Sequence, residues 1–109
     1  MNATQSPKQR INTQIARIAK AVASASRLEL LELLGQGERT VELLAHAAGL
    51  TVANTSQHLQ ALRRVGLVAA RKEGLFVHYR LTDFEVVRLL LLLRRIAEQR
   101  LDEVDQLVA

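Results

Sequence analysis

The side chains in this chain best suited to chemistry lie between positions 51 and 64, and the chemistry is recognition by hydrogen bonding. Asn54, Gln57 and Gln60 carry amides that can pair bidentately with adenine, and Arg64 carries a guanidinium that can reach guanine or phosphate. Setting successive residues 100° apart on a helix gathers Ala53, Asn54, Gln57, Gln60, Ala61 and Arg64 on one side. Val52, Thr55, Leu59 and Leu62 fall on the other side as a core stripe. Small residues on the outward side allow close approach to a groove. Ser56 and His58 flank that side, and Thr51 precedes it as a further candidate DNA contact. A solvated surface would give the same polar face, so the decision rests on what surrounds it.

Behind this helix, residues 67 to 72 and 75 to 81 form two short strand-like runs around Glu73-Gly74, the pattern of a hairpin. A helix-turn-helix followed by a hairpin is the winged helix arrangement, in which the hairpin brings basic side chains to phosphates beside the groove. Arg71, Lys72, His78 and Tyr79 are the candidates for that contact. Charge agrees: residues 51 to 80 carry Arg63, Arg64, Arg71, Lys72 and Arg80 against Glu73 alone, whereas residues 81 to 109 are net acidic and the whole chain is +4. Such a surplus suits a polyanion. There is no apolar run of membrane-spanning length, no amino-terminal signal pattern and no Trp, which favours nucleic acid over a membrane.

The supporting elements are mostly helical. Residues 1 to 8, with Asn2, Ser6 and Pro7, read as a flexible tail, and residues 9 to 109 as one small domain. Ile11, Ile15, Ile18 and Val22 make the stripe of an amphipathic helix over residues 10 to 23. Ser24 or Ser26 can cap a second helix over 27 to 34, and Thr40 a short third over 41 to 47, with Gly49 turning into the reading helix. With 49% hydrophobic residues but three aromatics, the core must be aliphatic.

A last helix, with Asp83 able to cap it, has no Gly or Pro from 85 to 108 and would run about 36 Å at 1.5 Å per residue. Leu89 to Leu93 are apolar all round, and Leu93, Ala97, Leu101, Val104 and Val108 continue a stripe that one small domain cannot cover. The first helix could cover it within the chain, or a second copy could. The reading adopted combines both: first and last helices share a two-fold dimer interface through Ile11, Ile15, Ile18, Val22, Leu90, Leu93, Ala97 and Leu101.

Other chemistries find little here. The absence of Cys removes disulfides, thiolate ligands and thiol sensing, and fits a cytosolic setting. There is no Gly-rich phosphate loop and no nucleophile motif, and Glu98, Asp102, Glu103 and Asp105 read as a solvated helix face, so no enzyme and no cofactor is expected. His46, His58 and His78 lack a second His at helical ligand spacing, so no metal site is inferred. His58 is assigned a DNA or packing role, His78 a phosphate or surface role, and His46 an exposed one. A winged helix serving protein or RNA partners remains the alternative, because the fold hosts several functions.

The motifs Ala25-Ser26-Arg27-Leu28-Glu29-Leu30-Leu31, Ser56-Gln57-His58-Leu59, Gly66-Leu67-Val68 and Tyr79-Arg80-Leu81-Thr82, in this element order, resemble the ArsR/SmtB family of bacterial winged-helix repressors. The resemblance covers about residues 15 to 100. It implies a mainly α fold with a small hairpin, roughly five helices plus a two-stranded wing, and a homodimer that binds double-stranded palindromic operator DNA until an effector releases it. Residues 55 to 60 would then enter the major groove and the hairpin tip would follow the backbone. Where family sensors place a thiolate pair, this chain has Thr40 and Glu42. At a second family site it has Asp83, Glu85, Arg95 and Glu98, without imidazoles. The resemblance therefore comes without the family's metal ligands, and the effector is left unknown. Regulatory portions of the family also occur fused to sulfur-transfer domains, and this chain is similar to those portions.

Overall fold

The computed structural model describes residues 4 to 108, with the side chain of Val108 outside that description. Asn2 of the expected tail also lies outside it. The order is α1 (Pro7–Val22), α2 (Ala25–Gly35), β1 (Arg39–Thr40), α3 (Val41–Ala48), α4 (Val52–Arg64), β2 (Val68–Glu73), β3 (Phe76–Leu81) and α5 (Phe84–Val108).

Each helix start has a local cause. α1 begins earlier than the expected tail allows, because Ser6 and Gln9 form a reciprocal cap: Ser6 Oγ accepts from the Gln9 amide at 3.2 Å, and Gln9 Oε1 accepts from the Ser6 amide at 2.8 Å. Pro7 follows at the first helical position, where its missing N–H costs nothing. Ser24, Thr40 and Thr51 cap α2, α3 and α4 by accepting from the backbone three residues on. Asp83 accepts from the Glu85 amide at 2.9 Å as α5 opens. Gly49 ends α3 at φ 67°, a left-handed conformation that a side chain would strain, and this tight turn sets the angle between α3 and α4.

Leu30, Leu31, Leu44, Leu59 and Leu62, none of them exposed, interlock α2, α3 and α4 with Val68 of the sheet. Thr55 is equally buried, and its hydroxyl donates to the Thr51 carbonyl at 2.8 Å, so the core contains one satisfied polar group. Val52, expected in the same stripe, is 47% exposed, although Thr55 in the same turn is fully buried. The sheet has three strands rather than the two expected, in the order β1-β3-β2, all antiparallel. β1 pairs Arg39 with Tyr79 and Thr40 with His78. Its two residues show no alternation, so only the pairing reveals it.

α1 rests on α2 and α4, and α5 rests on α2. Ile18, Val22 and Leu90 therefore lean on the core. Ile11, Ile15, Leu101 and Val104 remain more than half exposed, as do Leu91 and Leu92. Ala97 and every other described residue of α5 beyond Leu90 is exposed, so the distal helix projects from the domain.

Candidate nucleic-acid interface

α3 and α4, joined at Gly49, form the helix-turn-helix, and the stripe Thr55, Leu59 and Leu62 anchors α4 so that its opposite side faces outward. Ala53, Asn54, Gln57, Gln60 and Arg64 are all exposed on that side, together with Arg63. Among the described residues no group hydrogen-bonds to the side-chain amides of Asn54, Gln57 or Gln60, and no acid pairs with Arg63 or Arg64. The face keeps its full complement of donors and acceptors. Both arginines occupy the last turn of α4, where cations also meet the negative end of the helix dipole.

Three expected contacts are placed differently. Tyr79 is 5% exposed and belongs to the hydrophobic core, not to the DNA side: the pleat puts it with Val77 and Leu81, which pack inward. Thr51 is exposed, but its hydroxyl oxygen caps α4 by accepting from the Asn54 backbone N–H at 3.0 Å. Half-buried His58 accepts at Nδ1 from Arg27 Nε at 3.1 Å, a packing contact with α2. Ser56 is half-buried at the edge of the face, and His46 is exposed.

On the wing, cross-strand pairing divides the cations between two faces. Lys72 lies opposite Val77, in the row with Ala70, Tyr79, Val68 and Leu81 that carries the core. Arg71 lies opposite His78 on the other face, where its guanidinium meets Glu38 at 2.6 Å and Glu73 at 2.5 Å. These carboxylates hold the Arg71 proton more firmly than usual, the Glu73 hydrogen bond first and the Glu38 bond second. Half-buried His78 stands 3.8 Å from each of the same two carboxylates. The wing tip is apolar, with Leu75 almost fully exposed and Phe76 half exposed.

The positions that resemblance linked to metal binding are engaged otherwise. Glu85 pairs with Arg88, and Arg94 pairs with Glu32 of α2 and with Glu98. Thr40 caps α3. Among the described residues no three His, Cys, Asp or Glu side chains group as a metal-holding set. Arg95 is exposed and makes no ion pair among the described residues. Among those residues, too, no helix is long and apolar enough to cross a membrane.

Comparison with known proteins bears on this geometry. Residues 24–70 match the model of the bacterial regulatory protein arsR family. The HTH-type transcriptional regulator Rv0324 of Mycobacterium tuberculosis is 45% identical over 84% of this chain, which spans 40% of that regulator's length. The transcriptional activator HlyU of Vibrio cholerae is 40% identical over 72% of this chain and 73% of its own. The homodimeric winged helix-turn-helix DNA-binding domain Mb0332 of Mycobacterium bovis superposes with a TM-score of 0.82 at 43% identity, covering 94% of this chain and 95% of that one. A shared winged helix-turn-helix fold, together with sequence identity at this level over most of both chains, places the chain in the arsR family of bacterial regulatory proteins.

Proposed function

We propose that the protein is a transcriptional repressor that binds a palindromic operator as a homodimer, with α4 of each protomer in a major groove. The observation that carries this reading is the exposed row Asn54, Gln57, Gln60 and Arg64 on the second helix of a helix-turn-helix, whose side chains have no hydrogen-bond or ion-pair partner among the described residues. Amides of this kind discriminate adenine by paired hydrogen bonds, while Arg63, Arg64 and Lys72 supply phosphate attraction that any sequence would share. Burial of Tyr79 leaves Phe76 as the exposed aromatic of the wing, one stacking platform where RNA-binding surfaces use several.

Dimerisation completes the reading, because two reading helices must stand about 34 Å apart to enter successive major grooves. Charge complementarity supports a pairing of α1 with the distal part of α5 of a second copy. α1 carries Lys8, Arg10, Arg17 and Lys20 with no acid, and α5 beyond Ile96 carries Glu98, Asp102, Glu103 and Asp105 against Arg100 alone. Ile11 and Ile15 of α1 and Leu101 and Val104 of α5 are each more than half exposed in the single chain. These 109 residues contain no cysteine, so they offer no thiolate to a metal effector.

The test is fluorescence anisotropy with the duplex upstream of the protein's own gene against a shuffled duplex of equal composition. Operator binding predicts a preference of about a thousandfold or more at physiological salt. Equal affinity for the two duplexes overturns the assignment.

A further inference from the structure

The wing has two neighbouring cations, and strand pairing sends them to opposite faces. Lys72 is exposed and makes no ion pair among the described residues. Arg71 is held from two sides. Glu38, just before β1, accepts from its Nε at 2.6 Å, and Glu73, on its own strand, accepts from Nη1 at 2.5 Å. His78, directly across the ladder, stands 3.8 Å from both carboxylates. Glu38 lies 33 residues before Arg71 in the chain. It is also two residues before Thr40, whose hydroxyl caps α3 of the helix-turn-helix.

A two-stranded hairpin is marginal in water unless something covers or ties it. The base of this one is secured by Val68 and Tyr79 in the core, but from Arg71 to Phe76 it is exposed. β1 stops at Thr40, so the ladder gives that outer part no third strand. Accepting the DNA-binding role proposed above, we infer that Arg71 is a positioning residue that straps the wing to the start of α3 through Glu38, and that Lys72 alone of this pair meets phosphate. A guanidinium suits the strap because its planar fork presents separate donors to two carboxylates at once.

The alternative, that Arg71 leaves its carboxylates to meet a phosphate, predicts the opposite sign for the key variant. If Glu38 competes with DNA for Arg71, then Glu38→Gln tightens binding. If Glu38 anchors the strap, Glu38→Gln loosens the wing and weakens binding. Glu42→Gln removes a carboxylate from the adjoining turn of α3 and serves as the control for long-range charge.

Binding of one duplex would be measured across a salt series for the parent, Arg71→Ala, Glu38→Gln, Glu42→Gln and Lys72→Ala, with backbone amide exchange of the wing followed by NMR. The strap predicts a several-fold weaker affinity for Arg71→Ala and Glu38→Gln relative to Glu42→Gln, with the slope of log affinity against log salt unchanged. It also predicts faster exchange at the β3 amides in both. Lys72→Ala should flatten the slope by about 0.9, one phosphate contact. A slope reduced by Arg71→Ala, tighter binding by Glu38→Gln than by Glu42→Gln, or unaltered amide exchange overturns the inference. Should the parent bind no duplex, the DNA-binding proposal fails, while the exchange measurement still decides whether the strap exists.

Discussion

Arg27 Nε donates to His58 Nδ1 at 3.1 Å, while its Nη1 donates to the Ala21 carbonyl at 3.2 Å. One half-buried guanidinium therefore joins the end of α1, the first turn of α2 and the middle of the reading helix. The bond assigns the His58 proton to Nε2, since Nδ1 must offer a lone pair. Removing Arg27 leaves a helix-end carbonyl and a ring nitrogen without partners in a partly dry site. Arg27→Ala should cost about 1–3 kcal/mol in denaturant unfolding, the usual penalty for stranded polar groups. Arg27→Lys should recover only part of it, because a single ammonium cannot span two acceptors as a fork does. Equal stability of Arg27→Ala and the parent would show that water replaces the bridge without loss.

Gln57 has the opposite character: it is exposed and makes no hydrogen bond with another described side chain. Gln57→Ala should leave the unfolding free energy within about 0.5 kcal/mol of the parent, as surface substitutions do. If its amide reads adenine, the same change should reduce discrimination among operator variants by about 1–3 kcal/mol at one base position. Competition binding with single-base variants measures this directly. Unchanged preference at every position would remove Gln57 from the base-reading set.

These two residues mark what was legible in the sequence. The α4 stripe of Thr55, Leu59 and Leu62 and its polar opposite follow from a period of 3.6, and the structure buries the one and exposes the other. The same period groups Val52 with them, but at the edge of the arc that Thr55, Leu59 and Leu62 span, and there it is 47% exposed. Tyr79 is legible: strict alternation through Phe76, Val77, His78, Tyr79, Arg80 and Leu81 puts it with the two aliphatics, on the face opposite His78 and Arg80. The Ser6-Pro7-Lys8-Gln9 capping signature was also present and marks the start of α1. By contrast, the Arg27–His58 and Arg71–Glu38 bonds join residues 31 and 33 apart, and no local pattern announces them.

The Glu73 carboxyl sits below the ordinary glutamate range, chiefly because Arg71 donates a hydrogen bond to it, then through the charges of Arg71 and His78. A lowered folded-state value means that the carboxylate form favours the folded wing. That contribution is present above the ordinary value of about 4.3 and is lost as pH falls through the folded one. At neutral pH the Glu73 carboxylate is therefore in the form that accepts from Arg71. NMR titration of the Glu73 side chain should give a midpoint below about 4.3 in the parent and a return toward that value in Arg71→Ala. A parent midpoint at or above it would mean that the contact does not persist in solution.

Leu101 and Ile15 are 61% and 56% exposed in the single chain, so neither contributes much to the fold of one protomer. If α1 of one copy lies on α5 of the other, two-fold symmetry buries each residue twice per dimer. Fully burying one such side chain stabilises by about 1.5–3 kcal/mol, so one site counted twice is worth roughly 3–6 kcal/mol. A glutamate there also forces desolvation of a charge, and at Leu101 it adds a fifth acid beside Glu98, Asp102, Glu103 and Asp105. Leu101→Glu should therefore raise the dimer dissociation constant by about a hundredfold or more. The helical content of the protomer should not change. Analytical ultracentrifugation over a concentration series reads the constant, and circular dichroism checks the fold. Operator affinity should fall with the dimer, because a lone reading helix forfeits half of the contacts. A Leu101→Glu protein that sediments as a dimer at the parent's concentrations would move the interface away from distal α5, leaving the exposed apolar stripe there without a role.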